Sequence, residues 1–405
     1  MANSLTPVDV YGIVNAMAQE MFGKNTTIQA LNSSTFCSVG ETMLRTGLTN
    51  TLDSLATVLG RTVFRVKRYR GKFKMLLRTP AEWGGIEREI SFYAKPMQAS
   101  HNWNTDLAST QLDDGQSVDP WTISKKYPLQ INFCGVKTLE FQVTRFTNQI
   151  KLAFSSESAF SDFFSAMMVE IANDLESKVE AENRLMVLNA IGATYNVGAT
   201  RSKVNLTSAF NTKYGTSYTT AQLLTTYLAD FVAFMVARIE GDMKLMEERN
   251  ELFHIYPARN DDSGNALQLL RHTPPEDRRL IIYEPLLRDE AKNVFPSLFS
   301  TSELRLENYI GVEYWQNVNN SMAVDIVPNQ LNVSNGQSTN GTRVQLSNVV
   351  GLLFDRDAIE ASIKFESANS TGLNPKGLYI NEFWHFANCY KNDQTKPMIL
   401  YYMAD

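Results

Sequence analysis

Residues 156–192 read SESAFSDFFSAMMVEIANDLESKVEAENRLMVLNAIG, with no proline and with the single glycine at the end. A stretch this long without a breaker predicts one helix of about 55 Å, at about 1.5 Å per residue. Globular helices usually run about 8–20 residues. No apolar heptad is sustained along it, which argues against a coiled coil. Seven acids and two bases interrupt it, so it does not cross a membrane unaided. A single long strut points to architecture before chemistry.

The flanks set the class as α+β. Upstream, residues 61–78 read as a hairpin turning near Arg70-Gly71, 87–93 as a strand, and 96–125 as a polar loop. Alternation over 128–133 and 139–146 predicts strands that lead into the helix. Nearer the start, 8–22 reads as a helix and 23–40 as irregular chain. Downstream, 193–219 is Gly-, Thr- and Asn-rich and reads as a loop. Leu224, Leu228, Phe231, Met235, Ile239 and Met243 share one face of a helix expected at 220–249. Strands are expected at 279–283, 310–315, 322–327 and 349–354, with a short helix at 286–294. A polar loop is expected at 328–342, a helix at 355–363 with Asp355 as its N-cap, and closing strands at 379–390 and 397–403.

The 405 residues are 43% apolar and 20% charged, with a net charge of −5. Such a chain buries a large core and has no global attraction for nucleic acid or anionic lipid. Cys37, Cys134 and Cys389 have neither zinc spacing nor a disulfide framework, which fits synthesis in a reducing cytosol. The first 23 residues lack the pattern of a signal peptide. The seven Asn-x-Ser/Thr sequons, at Asn25, Asn32, Asn205, Asn319, Asn332, Asn340 and Asn369, then read as products of an Asn-rich composition.

No dinucleotide, phosphate-loop, nucleophile-elbow or zinc-protease motif occurs. His101, His254, His272 and His385 have no second ligand at metal spacing, and Glu276-Asp277 beside Arg278-Arg279 reads as a solvated cluster. No catalytic residue, metal or cofactor is assigned. The strongest charge signal is Arg61, Arg65, Lys67, Arg68, Arg70, Lys72, Lys74 and Arg78, with no acid among them and Phe64, Tyr69 and Phe73 interleaved. Two readings stand beside weaker nucleic-acid binding: bases that keep a strand edge soluble, and a projection that docks on an acidic partner. The long helix supplies acids, Glu170, Asp174, Glu176 and Glu180 among them. The subunit-interface residues named on this reading are therefore Arg61, Arg65, Lys67, Arg68, Arg70, Lys72, Lys74, Glu170, Asp174, Glu176 and Glu180.

The order of elements, the run Val349-Val-Gly-Leu-Leu-Phe-Asp-Arg-Asp-Ala-Ile-Glu-Ala361, and the ending from Gly377 through Lys396-Pro-Met-Ile-Leu-Tyr-Tyr402 resemble the major capsid proteins of tailed bacteriophages, with the Hong Kong 97-like fold. The resemblance implies an N-terminal arm (1–57), an extended loop (58–125), a peripheral domain (126–199, spine helix 156–192), an axial domain (200–375), and C-terminal strands (376–405) returning to the peripheral domain. It implies an icosahedral head built from hexamers and pentamers of this chain, assembled in the bacterial cytoplasm and found in the virion. Packaged double-stranded DNA is held without reading its sequence, and no membrane is involved. Only 155 residues precede the helix, and the arm and loop use most of them, so the resemblance implies a separate scaffolding protein, or none, in place of an internal scaffolding domain, with a portal and head-completion proteins as further partners. Lys–Asn crosslinking is not expected. An encapsulin-like nanocompartment shell is the alternative within the fold. A soluble oligomeric α/β enzyme with scattered carboxylates is the alternative outside it.

Overall fold

The computed structural model describes residues 7–23, 26–46, 54, 73, 76–78, 87–94, 116–117, 119–121, 123, 125–133, 136–146, 157–262, 264–288 and 309–405. The expected hairpin at 61–78, apart from Phe73 and 76–78, lies outside them, as do most of the 96–125 loop and the second half of the 286–294 helix. The chain divides into two compact units. One holds Met1–Gly85, Gly135–Met186 and Glu360–Lys391, and the other Ile86–Cys134, Val187–Ile359 and Asn392–Asp405.

In the first unit, helix α1 (Pro7–Phe22) presents Val10, Val14 and Met17 at helical spacing, and α2 (Ser33–Thr46) presents Phe36, Val39 and Met43. Both stripes share a core with Ile380, Trp384 and Phe386. The start of α2 falls in the segment expected to be irregular. Its Asn-Ser-Ser-Thr run reads as a turn but works as a cap: Asn32 Oδ1 accepts the Thr35 N–H at 2.9 Å, satisfying a donor at the helix start. Asn15 on α1 pins the intervening loop by bonding both backbone groups of Ala30, at 2.6 and 3.1 Å. The sheet of this unit has the order β1 (Leu77–Arg78), β13 (Ile359–Ser370), β14 (Tyr379–Asn392), β4 (Val136–Phe146). Strands β14 and β4 run antiparallel from Tyr379↔Phe146 to Cys389↔Val136.

Strand β13 replaces most of the expected 355–363 helix. Asp355 does act as a cap, accepting from the Asp357 N–H at 2.9 Å, but of a single 3₁₀ turn, Arg356–Ala358. From there the chain extends, and Ile359, Glu360, Ala361 and Ser362 are all buried. Pairing within a sheet outweighs a helix propensity of a few tenths of a kcal/mol per residue. The Glu360 and Lys391 charges are buried together, 3.6 Å apart. Such a pair specifies register better than it stabilises.

In the second unit a five-stranded sheet has the order β5 (Lys203–Asn205), β15 (Met398–Met403), β12 (Asn348–Asp355), β6 (Arg278–Tyr283), β7 (Tyr309–Val312). Central β12 is antiparallel to both neighbours, and Val349–Asp355 is buried throughout, the pattern of a strand covered on both faces. A bulge falls between Val349 and Gly351. A Cβ on Gly351 would stand 3.0 Å from the Ile281 carbonyl, so the residue there is glycine. The closing strands thus divide: β14 pairs in the four-stranded sheet and β15 in the five-stranded one.

Helix α3 (Glu157–Val197) is the predicted strut, 41 residues long. It passes Gly192, the expected end, where a Cβ would meet Ile326 Cγ2 at 2.8 Å. The glycine admits a close neighbour and does not stop the helix. Asn189 exchanges two bonds with the backbone of Asn329, at 2.7 and 3.1 Å, and Asn196 donates to the Thr342 carbonyl. The expected 193–219 loop also contains α4 (Leu206–Tyr214), capped by Asn205 and closed by Gly215 at φ 66°. The expected 220–249 helix is two: α5 (Thr220–Leu223), with a Thr219/Gln222 capping box, and α6 (Leu228–Glu247). Phe231, Met235, Ile239 and Met246 of α6 share a core with Leu280, Ile282, Val350 and Tyr401 of the sheet. The expected 328–342 loop is a hairpin, β9 (Asn329–Asn332) with β10 (Gln337–Asn340), turning through Gly336 at φ 70°. The remaining strands are β2 (Glu87–Phe92) with β3 (Pro128–Phe133), and β8 (Val324–Ile326) with β11 (Val344–Leu346).

Two outcomes follow. Ala172→Pro removes an intrahelical hydrogen bond and clashes with the preceding turn, costing about 3 kcal/mol or more, and the subunit melting temperature falls. His254 is buried, which with Arg271 nearby lowers its pKa to about 4, against a raising bond to the Leu269 carbonyl and the Glu251 charge. Its stabilising effect is complete above its unfolded pKa of about 6.5 and is lost as pH falls through 4, for a change of about 3 kcal/mol. Melting of the dissociated subunit across this window shows the loss in the parent and a flatter profile in His254→Gln.

Candidate subunit interface

On α3, Glu180 is half-buried and accepts from Arg184 Nη2 at 3.2 Å. The Arg184 guanidinium lies 5.4 Å from the centroid of the buried Phe73 ring, a contact worth about 0.5–1 kcal/mol. Burial raises the Glu180 pKa, against the pull of Arg184 and of a bond from the Phe73 backbone. So the basic run is anchored on this helix at Phe73, between Lys72 and Lys74. Next to it, Glu182 pairs with Lys137 at 2.6 Å. A pair this exposed contributes about 0–1 kcal/mol.

Of the acids named from the sequence, Asp174 is exposed, Glu176 is half-buried, and Glu180 is engaged within its own subunit. Glu170 is helical, and its side chain lies outside the described residues. Arg61, Arg65, Lys67, Arg68, Arg70, Lys72 and Lys74 all lie outside them as well.

The hairpin β2–β3, in the second unit, carries a surface not singled out from the sequence. On β2 the usual parity is reversed. Glu89 and Ser91 point inward, where Lys396 holds Glu89 at 2.5 Å and Arg271 donates to Ser91 Oγ at 2.8 Å. Ile90 and Phe92 point outward, each 56% exposed, with Arg88 beside them. Across the ladder the same face carries Pro128, Gln130 and Asn132. Nearby in sequence, Trp121 and Ile123 are 85% and 83% exposed. Single exposed apolar residues are ordinary; here two stand on the same face of one strand, at Ile90 and Phe92.

Among the described residues no cluster of three or more His, Cys, Asp or Glu is arranged to hold a metal ion. None of their helices is long and apolar enough to cross a membrane.

The model of the Phi29-like phage major capsid protein family matches residues 14–402. No curated protein sequence matches the chain. Among solved structures, the capsid structure of Staphylococcus phage Andhra aligns over 84% of this chain and 86% of that one, at 9% identity and a TM-score of 0.53, a likeness of fold alone. The capsid structure of cyanophage P-SCSP1u aligns over 84% and 90%, at 13% identity and a TM-score of 0.43. The nanocompartment and enzyme readings are set aside by the family match, which spans both units. The chain belongs to the Phi29-like phage major capsid proteins: it is a structural subunit of the phage head, found in the virion, and not an enzyme.

Proposed function

We propose that the chain builds an icosahedral, Hong Kong 97-like head around double-stranded DNA, and that the outward face of β2–β3 is a contact between subunits. The observation that carries this reading is the reversed parity of β2, with Glu89 and Ser91 held inside by Lys396 and Arg271 while Ile90 and Phe92 face solvent. Leaving two large apolar side chains in water forgoes their burial in an isolated subunit. Burying the apolar pair in a neighbour recovers about 25 cal/mol per Å² of apolar area. Small gains suffice, because a closed shell repeats each contact many times.

In this reading residues 126–199, with the C-terminal strands of 376–405, are the peripheral domain, and residues 200–375 are the axial domain. Residues 1–57 act as an arm and 58–125 as the loop that reaches a neighbour. The bases Arg61, Arg65, Lys67, Arg68, Arg70, Lys72 and Lys74 meet acids such as Glu170, Asp174 and Glu176 across a contact, with Glu180 set against its own Arg184. The implied partners are other copies in hexamers and pentamers, a separate scaffolding protein, a portal, head-completion proteins, and DNA held non-specifically.

Two variants test this. In Ile90→Asp/Phe92→Asp, and in the joint charge reversal of Arg65, Lys67, Arg68 and Arg70, subunits melt within a few degrees of the parent but do not form shells at ordinary salt. Shells at the parent's yield from either variant remove the corresponding contact.

A further inference from the structure

A small polar cavity lies within the second unit, beside the last turn of α3. It has room for about one water, a volume of about 10 Å³, near the lower bound for holding one. Thr194, Ser202 and His254 line it and are 2%, 1% and 4% exposed. Thr194 Oγ1, Ser202 Oγ and His254 Nδ1 are each buried with no hydrogen-bond partner among the described residues. Three such atoms around one cavity call for a common explanation, since a buried polar atom left unmade costs about 1–3 kcal/mol.

Their roles are set by chemistry. His254 Nε2 is 2.7 Å from the Leu269 carbonyl. A carbonyl only accepts, so Nε2 carries the proton, and Nδ1 of the neutral ring is an acceptor. The two hydroxyls each donate or accept. The walls are tied independently of any occupant. The Gly198 N–H donates to the Thr194 carbonyl at 2.9 Å, Met398 N–H to the Phe253 carbonyl at 2.8 Å, and Ile255 N–H to the Gln394 carbonyl at 3.1 Å. A Cβ on Gly198 would run into the Thr194 carbonyl oxygen and stand 3.2 Å from the Ser202 Cβ, so glycine lets the chain pack against the helix end here.

We propose that this cavity is a binding site for one structural water, which takes hydrogen bonds from Thr194 and Ser202 and donates one to His254 Nδ1. Three partners is the usual number for a buried water. The water joins the end of α3, the turn after it and the segment after α6 that carries His254, and so belongs to the subunit's stability.

Assembled heads imaged by cryo-electron microscopy at a resolution that shows waters give the direct test. A density peak about 2.6–3.2 Å from all three atoms is expected, and an empty cavity overturns the proposal. Thr194→Val and Ser202→Ala give a second test whose sign decides. If the water is bound, each variant removes one of its bonds, and the subunit melting temperature falls by about 1–3 °C. If the cavity is dry, each removes a buried unpaired hydroxyl, and the melting temperature rises.

Discussion

The last turns of α3 are where the structure is most constrained. Between Val187 and Thr194 only Asn189 retains partial exposure, whereas Asn173–Glu182 of the same helix is exposed or half-exposed. A helix buried all round must be small where neighbours come close and must satisfy its polar groups locally. Ala190, Gly192 and Ala193 meet the first demand, and Ile326 and Pro328 take the space that a larger residue at 192 would fill. Asn189 and Asn196 meet the second by bonding the backbone of the strands beside them. Thr194 faces the cavity at the same end. The surrounding strands are therefore placed against the helix by close packing and amide bonds together.

The contact proposed for assembly lies in a different part of the second unit. A subunit that must be stable alone and also adhesive needs apolar surface that its own core does not absorb. Strand β2 achieves this by parity. With Lys396 and Arg271 inside to receive Glu89 and Ser91, the strand can turn Ile90 and Phe92 outward without leaving buried polar groups unmet. The inward pairs fix the register, since a slip of one residue would bury Ile90 and Phe92 and expose Glu89 and Ser91. Register and adhesiveness are in this way one property of the hairpin.

Much of the fold was legible in the sequence, for reasons that can be located. Proline-free length identified α3, the periodicity of Phe231, Met235 and Ile239 identified α6, and alternation identified β3 and β4. The misreadings share a cause. Asn32 and Asn205 fell in segments expected to be irregular chain and loop, and Asp355 was expected to cap a helix; what followed each depended on tertiary partners: a helix after Asn32 and Asn205, a strand after Asp355. The Asn/Ser/Gly segment at 329–340 has almost no apolar alternation, and its pairing shows only in the backbone ladder. The Glu89-Ile90-Ser91-Phe92 alternation was visible, but alternation does not say which parity faces the core. That depends on Lys396 and Arg271, some 180 to 300 residues away in sequence.

The family match establishes a head subunit; the central structural claim is that the outward face of β2–β3 is buried in assembly. A cryo-electron microscopy map of shells grown from this chain measures that directly. The account predicts Ile90 and Phe92 in van der Waals contact with a neighbouring copy at each quasi-equivalent position, with Glu89 still on Lys396. A map in which both side chains face solvent throughout the shell would contradict it.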